Sequence, residues 1–315
     1  MSSLHQTMAG FKPCSPKWST GDIPDLSSKV VIVTGGNTGI GKETVKALLL
    51  KNAKVYMASR SKDRAFAAIA ELKAETGKDA IFLQLDLANL DSITQAAQEF
   101  KSKERCLHIL FNSGGVFMVP IDQLTSDGFD LQFGTNVLGH AHFTLSLIPE
   151  LIEGAKTSSD GKARVVNTSS DSAYLGVPKN GIDWNTLRDG VARKKMGTMT
   201  LYCQSKFANV VFSNELARRY ASQGIISNSL NPGHLKTDLQ RHMSSVQRTV
   251  LGALLYPAPM GALTQLYVGT SPETANNSGD FFVPWARLGK LTGPSADPEM
   301  GRRLWDWIEE QRRNH

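Results

Sequence analysis

The feature that most restricts the fold is Lys29–Thr34, a Val- and Ile-rich run that passes directly into Gly35-Gly36-Asn37-Thr38-Gly39-Ile40-Gly41. A continuous β-branched run with no polar alternation predicts a strand covered on both faces, as in a parallel sheet. Glycines at 35, 39 and 41 allow a sharp turn and leave no Cβ between the backbone and a bound group. Gly39–Lys51 then reads as a helix, apolar at Ile40, Val45, Leu48 and Leu49. Its free N–H groups and positive dipole end would face the turn, which suits a pyrophosphate. The residues expected to cradle it are Gly35, Asn37, Thr38, Gly39, Ile40 and Gly41.

The alternation continues along the chain. Ala53–Ala58, Ala80–Leu85, Leu107–Asn112, Ala163–Thr168, Ile225–Leu230 and the shorter Asp280–Val283 read as strands. Between them, Ser61–Thr76, Asp91–Lys103, about 126–152 and about 201–222 read as helices, and Pro298–Arg312 as a terminal one. Asp91 is the predicted start of its helix. This order predicts an α/β Rossmann fold, a doubly wound, mostly parallel sheet of seven strands with helices on both faces. No linker-like stretch interrupts it, so a single domain over 29–315 is expected after an irregular arm, 1–28, that carries Pro13, Pro16 and Pro24. With 41% hydrophobic residues in 315, a core of that size is within reach.

Several function classes are excluded. The net charge of +6 is spread over Lys51–Arg64, Arg188–Lys195 and the Arg302, Arg303, Arg312, Arg313 group, each interrupted by acids or apolar residues. That is a solvated surface, and no nucleic-acid partner is expected. Cys14, Cys106 and Cys203 form no CxxC pair, which argues against a disulfide framework and points to a reducing compartment. The uncharged stretch Thr249–Pro272 is split by Pro257 and Pro259, so no transmembrane segment is predicted. A soluble, cytoplasmic protein is the expectation. The histidines show no metal spacing, and His234 reads as a loop residue.

The end of the second strand bears on the nucleotide. In Met57-Ala58-Ser59-Arg60-Ser61-Lys62-Asp63-Arg64 no acid stands where an NAD site places one against the ribose hydroxyls. Arg60 can pair a 2′-phosphate with its planar fork, Ser59 can donate a hydroxyl, and Lys62 and Arg64 add charge. NADP(H) is therefore predicted over NAD(H), unless Asp63 takes Arg60 for itself or the cluster is only a solvated loop. Further on, Tyr202 and Lys206 stand four apart on a predicted helix, hence on one face. An ammonium beside a phenol favours the phenolate, which would make the tyrosine an acid–base group.

Taken together, these motifs resemble the short-chain dehydrogenase/reductase superfamily. Thr34–Gly41 matches TGxxxGIG and Tyr202–Lys206 matches YxxxK; between them fall Asp86-Leu87, Asn112-Ser113-Gly114-Gly115, Asn136 and Ser169-Ser170, and after them Asn231-Pro232-Gly233. The match covers about residues 29–285. The stretch Tyr202–Tyr220 and the long interval from Ser170 to Tyr202 are similar to the retinol dehydrogenase and WW-domain oxidoreductase branch. Two departures stand out: the usual NNAG is Asn112-Ser113-Gly114-Gly115, with Gly115 expected to loosen the cofactor wall, and residues 1–28 carry no apolar anchoring segment.

The resemblance implies hydride transfer between NADP(H) and a small-molecule carbonyl or alcohol. Tyr202 would be the acid or base and Lys206 would hold the nicotinamide ribose and lower the Tyr202 pKa. Ser170, rather than Ser169, would bond the substrate oxygen, and Asn136 would anchor a water. Asp86 would accept from the adenine amino group beside Leu87, with Asn112 and Gly114 at the adenine ribose. Pro232, Gly233, Leu235 and Thr237 would close on the nicotinamide side. Substrate loops are expected at about 171–200, with Tyr174, Leu175, Val177, Trp184 and Leu187, and at 239–262, with Leu251, Leu254, Leu255, Tyr256 and Met260. They suggest a bulky apolar substrate. Family members pair through helices corresponding to 126–152 and 201–222, which implies a homodimer or homotetramer. A cofactor-binding sensor or regulatory protein without turnover is the alternative reading.

Overall fold

The computed structural model describes residues 13–236, 255–290, 294–313 and 315. One sheet organises them, with strand order β3-β2-β1-β4-β5-β6-β7-β8. The strands are β1 (Val30–Thr34), β2 (Lys54–Ser59), β3 (Ile81–Gln84), β4 (Ile109–Asn112), β5 (Ala163–Thr168), β6 (Ile225–Leu230), β7 (Phe281–Val283) and β8 (Arg287–Leu288). All neighbours through β7 run parallel, and β8 returns antiparallel against β7. The seven strands expected from sequence become eight because a hairpin after Val283 adds this two-residue edge. Strand order reverses between β1 and β4, where a doubly wound sheet opens its crevice.

Successive residues of β1 serve opposite faces. Ile32 packs in one core with Phe133, Phe143, Phe207 and Leu304, whereas Val31 and Val33 pack in the other with Val45, Leu48, Leu72 and Leu266. All three are fully buried, which is why the run shows no polar alternation. Trp18, Ile23 and Leu26 of the arm join the second core, and Trp18 meets Tyr267 edge-on at 5.5 Å.

Two predicted helices are redrawn. Asn89, not Asp91, begins the helix Leu90–Lys103, its side chain accepting from Ser92 N at 2.9 Å. The segment foreseen as one helix over 126–152 starts where Asp130 caps the turn Leu131–Phe133. It widens to a π-helix at Gly134–Gly139, continues as His140–Ser146, and restarts as Ile148–Thr157 with Pro149 in its first turn. Thr198–Tyr220 and Pro298–Arg312 form as long helices, the second capped by Asp297. Among the described residues no helix is long and apolar enough to cross a membrane.

Candidate active site

At the C-terminal ends of β1, β2 and β4 lies a cleft of about 430 Å3. Gly35, Asn37, Thr38, Gly39, Ile40 and Gly41 form one wall, Ser59, Arg60 and Arg64 one end, and Asp86, Leu87, Ser113, Gly114 and Gly115 the other side. Thr34 Oγ1 accepts from Ser113 N and Gly114 N, both at 2.9 Å, and so fastens the glycine turn to the segment after β4. Gly35 has φ +66°, and a Cβ there would stand 2.8 Å from Gly114 Cα, so the close approach requires glycine. The Ser59 hydroxyl is buried at this cleft without a hydrogen-bond partner. A glycine-lined wall, an orphaned hydroxyl and two guanidiniums fit a dinucleotide with an extra phosphate.

Not every residue foreseen for this cleft reaches it. Lys62 does not line it; its ammonium lies 5.9 Å over the Phe66 ring. The Asn112 side chain turns inward, donating to Thr144 Oγ1 and to Asn167 Oδ1 at 3.0 Å each. Its register explains this, since Asn112 pairs with Asn167 across β4 and β5. Pro232, Gly233 and Leu235 follow β6 beyond the lining of this cleft, with Gly233 N donating to Asn231 Oδ1 at 2.9 Å. Thr237 and residues 239–254 lie outside the described residues.

The helix Thr198–Tyr220 carries Tyr202 and Lys206, both buried. Lys206 Nζ donates to Thr168 O at 3.0 Å and sits 5.8 Å from the centre of the Tyr202 ring. Burial pulls the Lys206 ammonium down to about 8. The Tyr202 phenol moves the other way: burial foremost, then the Asp171 charge, hold it above the ordinary tyrosine range against a hydrogen bond with Ser170. The expected lowering by Lys206 is therefore not seen in the chain by itself. Burial is the dominant influence on the phenol, and Lys206 is not among the groups that shift it, while its ammonium donates to Thr168 O.

The paired serines divide their work. Ser169 Oγ donates to Lys206 O at 2.7 Å, while Ser170 faces the phenol. Asn136 lies in the π-helical stretch and holds both backbone groups of Val116, accepting from its N at 2.9 Å and donating to its O at 3.0 Å. It also donates to Ser205 Oγ at 3.0 Å. The π-turn sends the His140 N–H to Val137 O, and the Asn136 carbonyl accepts instead from His140 Nδ1 at 3.0 Å. Gly115 does not loosen the wall: a Cβ there would press on Asn136 Oδ1 at 3.0 Å.

A sequence model of the short chain dehydrogenase family matches residues 29–182 and 190–248. The chain is a short-chain dehydrogenase. Over 299 residues it is 56% identical to a short-chain dehydrogenase/reductase of Armillaria gallica, covering 95% of each chain. Retinol dehydrogenase 11 of Mus musculus is 37% identical over 285 residues, covering 89% of this chain and 85% of that one. The dehydrogenase thus belongs to the retinol dehydrogenase-like branch. Among solved structures it is similar to a short chain dehydrogenase of Burkholderia cenocepacia in complex with NADP, with 27% identity and a TM-score of 0.63 over 84% of this chain and 98% of that one.

Some residues that shape the dehydrogenase site left little trace in the sequence. Phe117 packs edge-on to Tyr202 with ring centres 4.6 Å apart. Nothing in its neighbours marks it. Asp171 is buried directly after Ser170, and its adjacency to that serine was the available signal. The insertion that follows is anchored by Arg193, which donates to Asp130 Oδ2 at 2.9 Å and to the carbonyls of Ile121 and Gln123.

Proposed function

We propose that this oxidoreductase uses NADP(H) and acts on a bulky apolar ketone, aldehyde or alcohol. The observation that carries the reading is the convergence on Tyr202: the Ser170 hydroxyl lies close enough to the phenol to favour its ionisation, and Lys206 stands one turn further along the same buried helix. When bound, NADP(H) supplies or accepts the hydride. Tyr202 gives its proton to the carbonyl oxygen in reduction and takes it back in oxidation. Ser170 fixes that oxygen beside the phenol. Lys206 holds the nicotinamide ribose and, with a proton affinity lowered by burial, can return a proton to Tyr202. Asn136 keeps the Val116 segment against this group.

Arg60, with Ser59 and Arg64, supports the choice of NADP(H), because no carboxylate stands at the end of β2 to repel a phosphate. Asp86 and Leu87 would receive the adenine, Gly114 the adenine ribose, and Pro232, Gly233, Leu235 and Thr237 the nicotinamide side. The segment 171–200, together with Tyr256 and Met260, would frame the substrate. NADPH consumption measured against a panel of apolar ketones and aldehydes tests the reading. Turnover preferring NADPH to NADH is expected. Tight NADPH binding with no turnover across the panel would replace it with a cofactor-binding sensor.

A further inference from the structure

Asn136 is held by its carbonyl as well as by its amide, and the holder is a buried histidine that the chemistry above does not use. His140 is 3% exposed and opens the helix that continues the π-turn. In a regular helix its N–H would go to Asn136 O. Here that N–H goes to Val137 O, and the imidazole supplies the donor in its place, with Nδ1 3.0 Å from Asn136 O. A carbonyl only accepts, so Nδ1 carries the proton and a neutral ring offers Nε2 as an acceptor. Nε2 lies 2.9 Å from Thr34 Oγ1. That hydroxyl already accepts from Ser113 N and Gly114 N, which fills both lone pairs and leaves its proton to give. Phe111 O, at 3.2 Å, is the more distant acceptor for it. A charged imidazole would ask the hydroxyl to accept a third time. Burial, foremost, pulls the ring down to about 4 and keeps it neutral.

The line does not end at Asn136. Its amide donates to Val116 O and to Ser205 Oγ, and Ser205 Oγ donates to Tyr202 O at 2.8 Å. Hydrogen bonds thus run without a gap from the glycine turn, through His140 and Asn136, to the helical turn bearing Tyr202. We propose that His140 is a positioning residue that sets two things with one ring: through Nε2 the Thr34 corner of the cofactor cradle, and through Nδ1 the Asn136 group that backs Tyr202. The proposal rests on the oxidoreductase reading above. Filling this space needs only an apolar side chain, whereas a ring with both nitrogens partnered holds two segments at a fixed distance.

The test separates the two nitrogens. An asparagine amide stands where Nδ1 does and can still donate to Asn136 O, but it does not reach Thr34. A glutamine amide reaches as far as Nε2 and can still accept from Thr34, but it gives Asn136 O no donor. His140→Asn is therefore expected to weaken NADPH binding, read by fluorescence, by about five- to tenfold, with the smaller effect on rate. His140→Gln is expected to slow single-turnover reduction of the best carbonyl of the panel by about tenfold, with the smaller effect on NADPH affinity. Equal losses of both constants in both variants, or a lower melting temperature with both constants intact, mark a histidine that only packs. Either result overturns the proposal and leaves the oxidoreductase reading standing, and so does the reverse split. Where a variant does not fold, nitrogen NMR spectra of the wild-type ring, assigned through its backbone, decide. A neutral Nδ1–H imidazole whose Nε2 signal moves when NADPH binds is expected; an Nε2–H ring or an unmoved signal overturns the proposal. No turnover by the wild type overturns the oxidoreductase reading first and the proposal with it.

Discussion

Tyr202 and Arg60 sit in opposite settings, one buried on the helix Thr198–Tyr220 and the other exposed in the lining of the cleft. Their substitutions should fail differently. Tyr202→Phe keeps the ring against Phe117 and removes the proton, so kcat should fall by about 10²- to 10⁴-fold while NADPH affinity is retained. Near wild-type turnover would refute the assignment. Among the described residues Arg60 makes no ion pair with Asp63, and Gln84 Nε2 donates to its main-chain carbonyl at 2.8 Å, so the guanidinium in the cleft lining can meet a phosphate. A charge-assisted contact in solvent contributes at the low end of about 1.5–3 kcal/mol, so Arg60→Ala should weaken NADPH by roughly tenfold and NADH hardly at all. Arg60→Asp should reverse the preference. Dissociation constants for both cofactors decide it; equal losses would mean that Arg60 reads no phosphate.

At the scale of elements, the insertion after β5 is fastened by a buried ion pair. Arg193 and Asp130 are each about 1% exposed in their side chains, and Asp130 also caps the turn Leu131–Phe133. Removing one partner strands the other charge, so Arg193→Ala should lower unfolding stability by about 3–5 kcal/mol in urea titrations. A loss under about 1 kcal/mol would show that water reaches the pair. This clamp was invisible in sequence, because Arg193 sits in a basic run that reads as surface. The strands were legible because burial on both faces suppresses polar alternation. Tyr202 and Lys206 were legible because helix geometry fixes their face. Asn112 was misplaced because residue type does not say which side of a strand end it takes. The π-turn was hidden because an apolar run looks helical whether its carbonyls reach four residues or five, and β8 is too short to carry a pattern.

At the scale of the whole molecule, the helix Pro298–Arg312 lies along Thr198–Tyr220. Trp305 stacks on Phe212 with ring centres 6.0 Å apart, and Arg219 lies 4.4 Å over the Trp305 ring. The stretch Gly134–Leu145 is buried as well. The pairing implied by the family resemblance needs these two helices open, and here they are covered. The expected mass in light scattering is therefore that of a monomer, independent of concentration. A stable dimer would place its interface on another surface.

The same covering helix sets an order of manufacture. During synthesis the segment bearing Tyr202 and Lys206 leaves the ribosome well before Trp305 does. Until then Phe212 has no ring to stack on and Glu215 keeps a face open that Gly301 later closes. A half-made chain thus already holds its reactive side chains but shows an apolar flank that invites association with its neighbours. Translation that stalls before Pro298 should leave this protein to the chaperones rather than to its substrate.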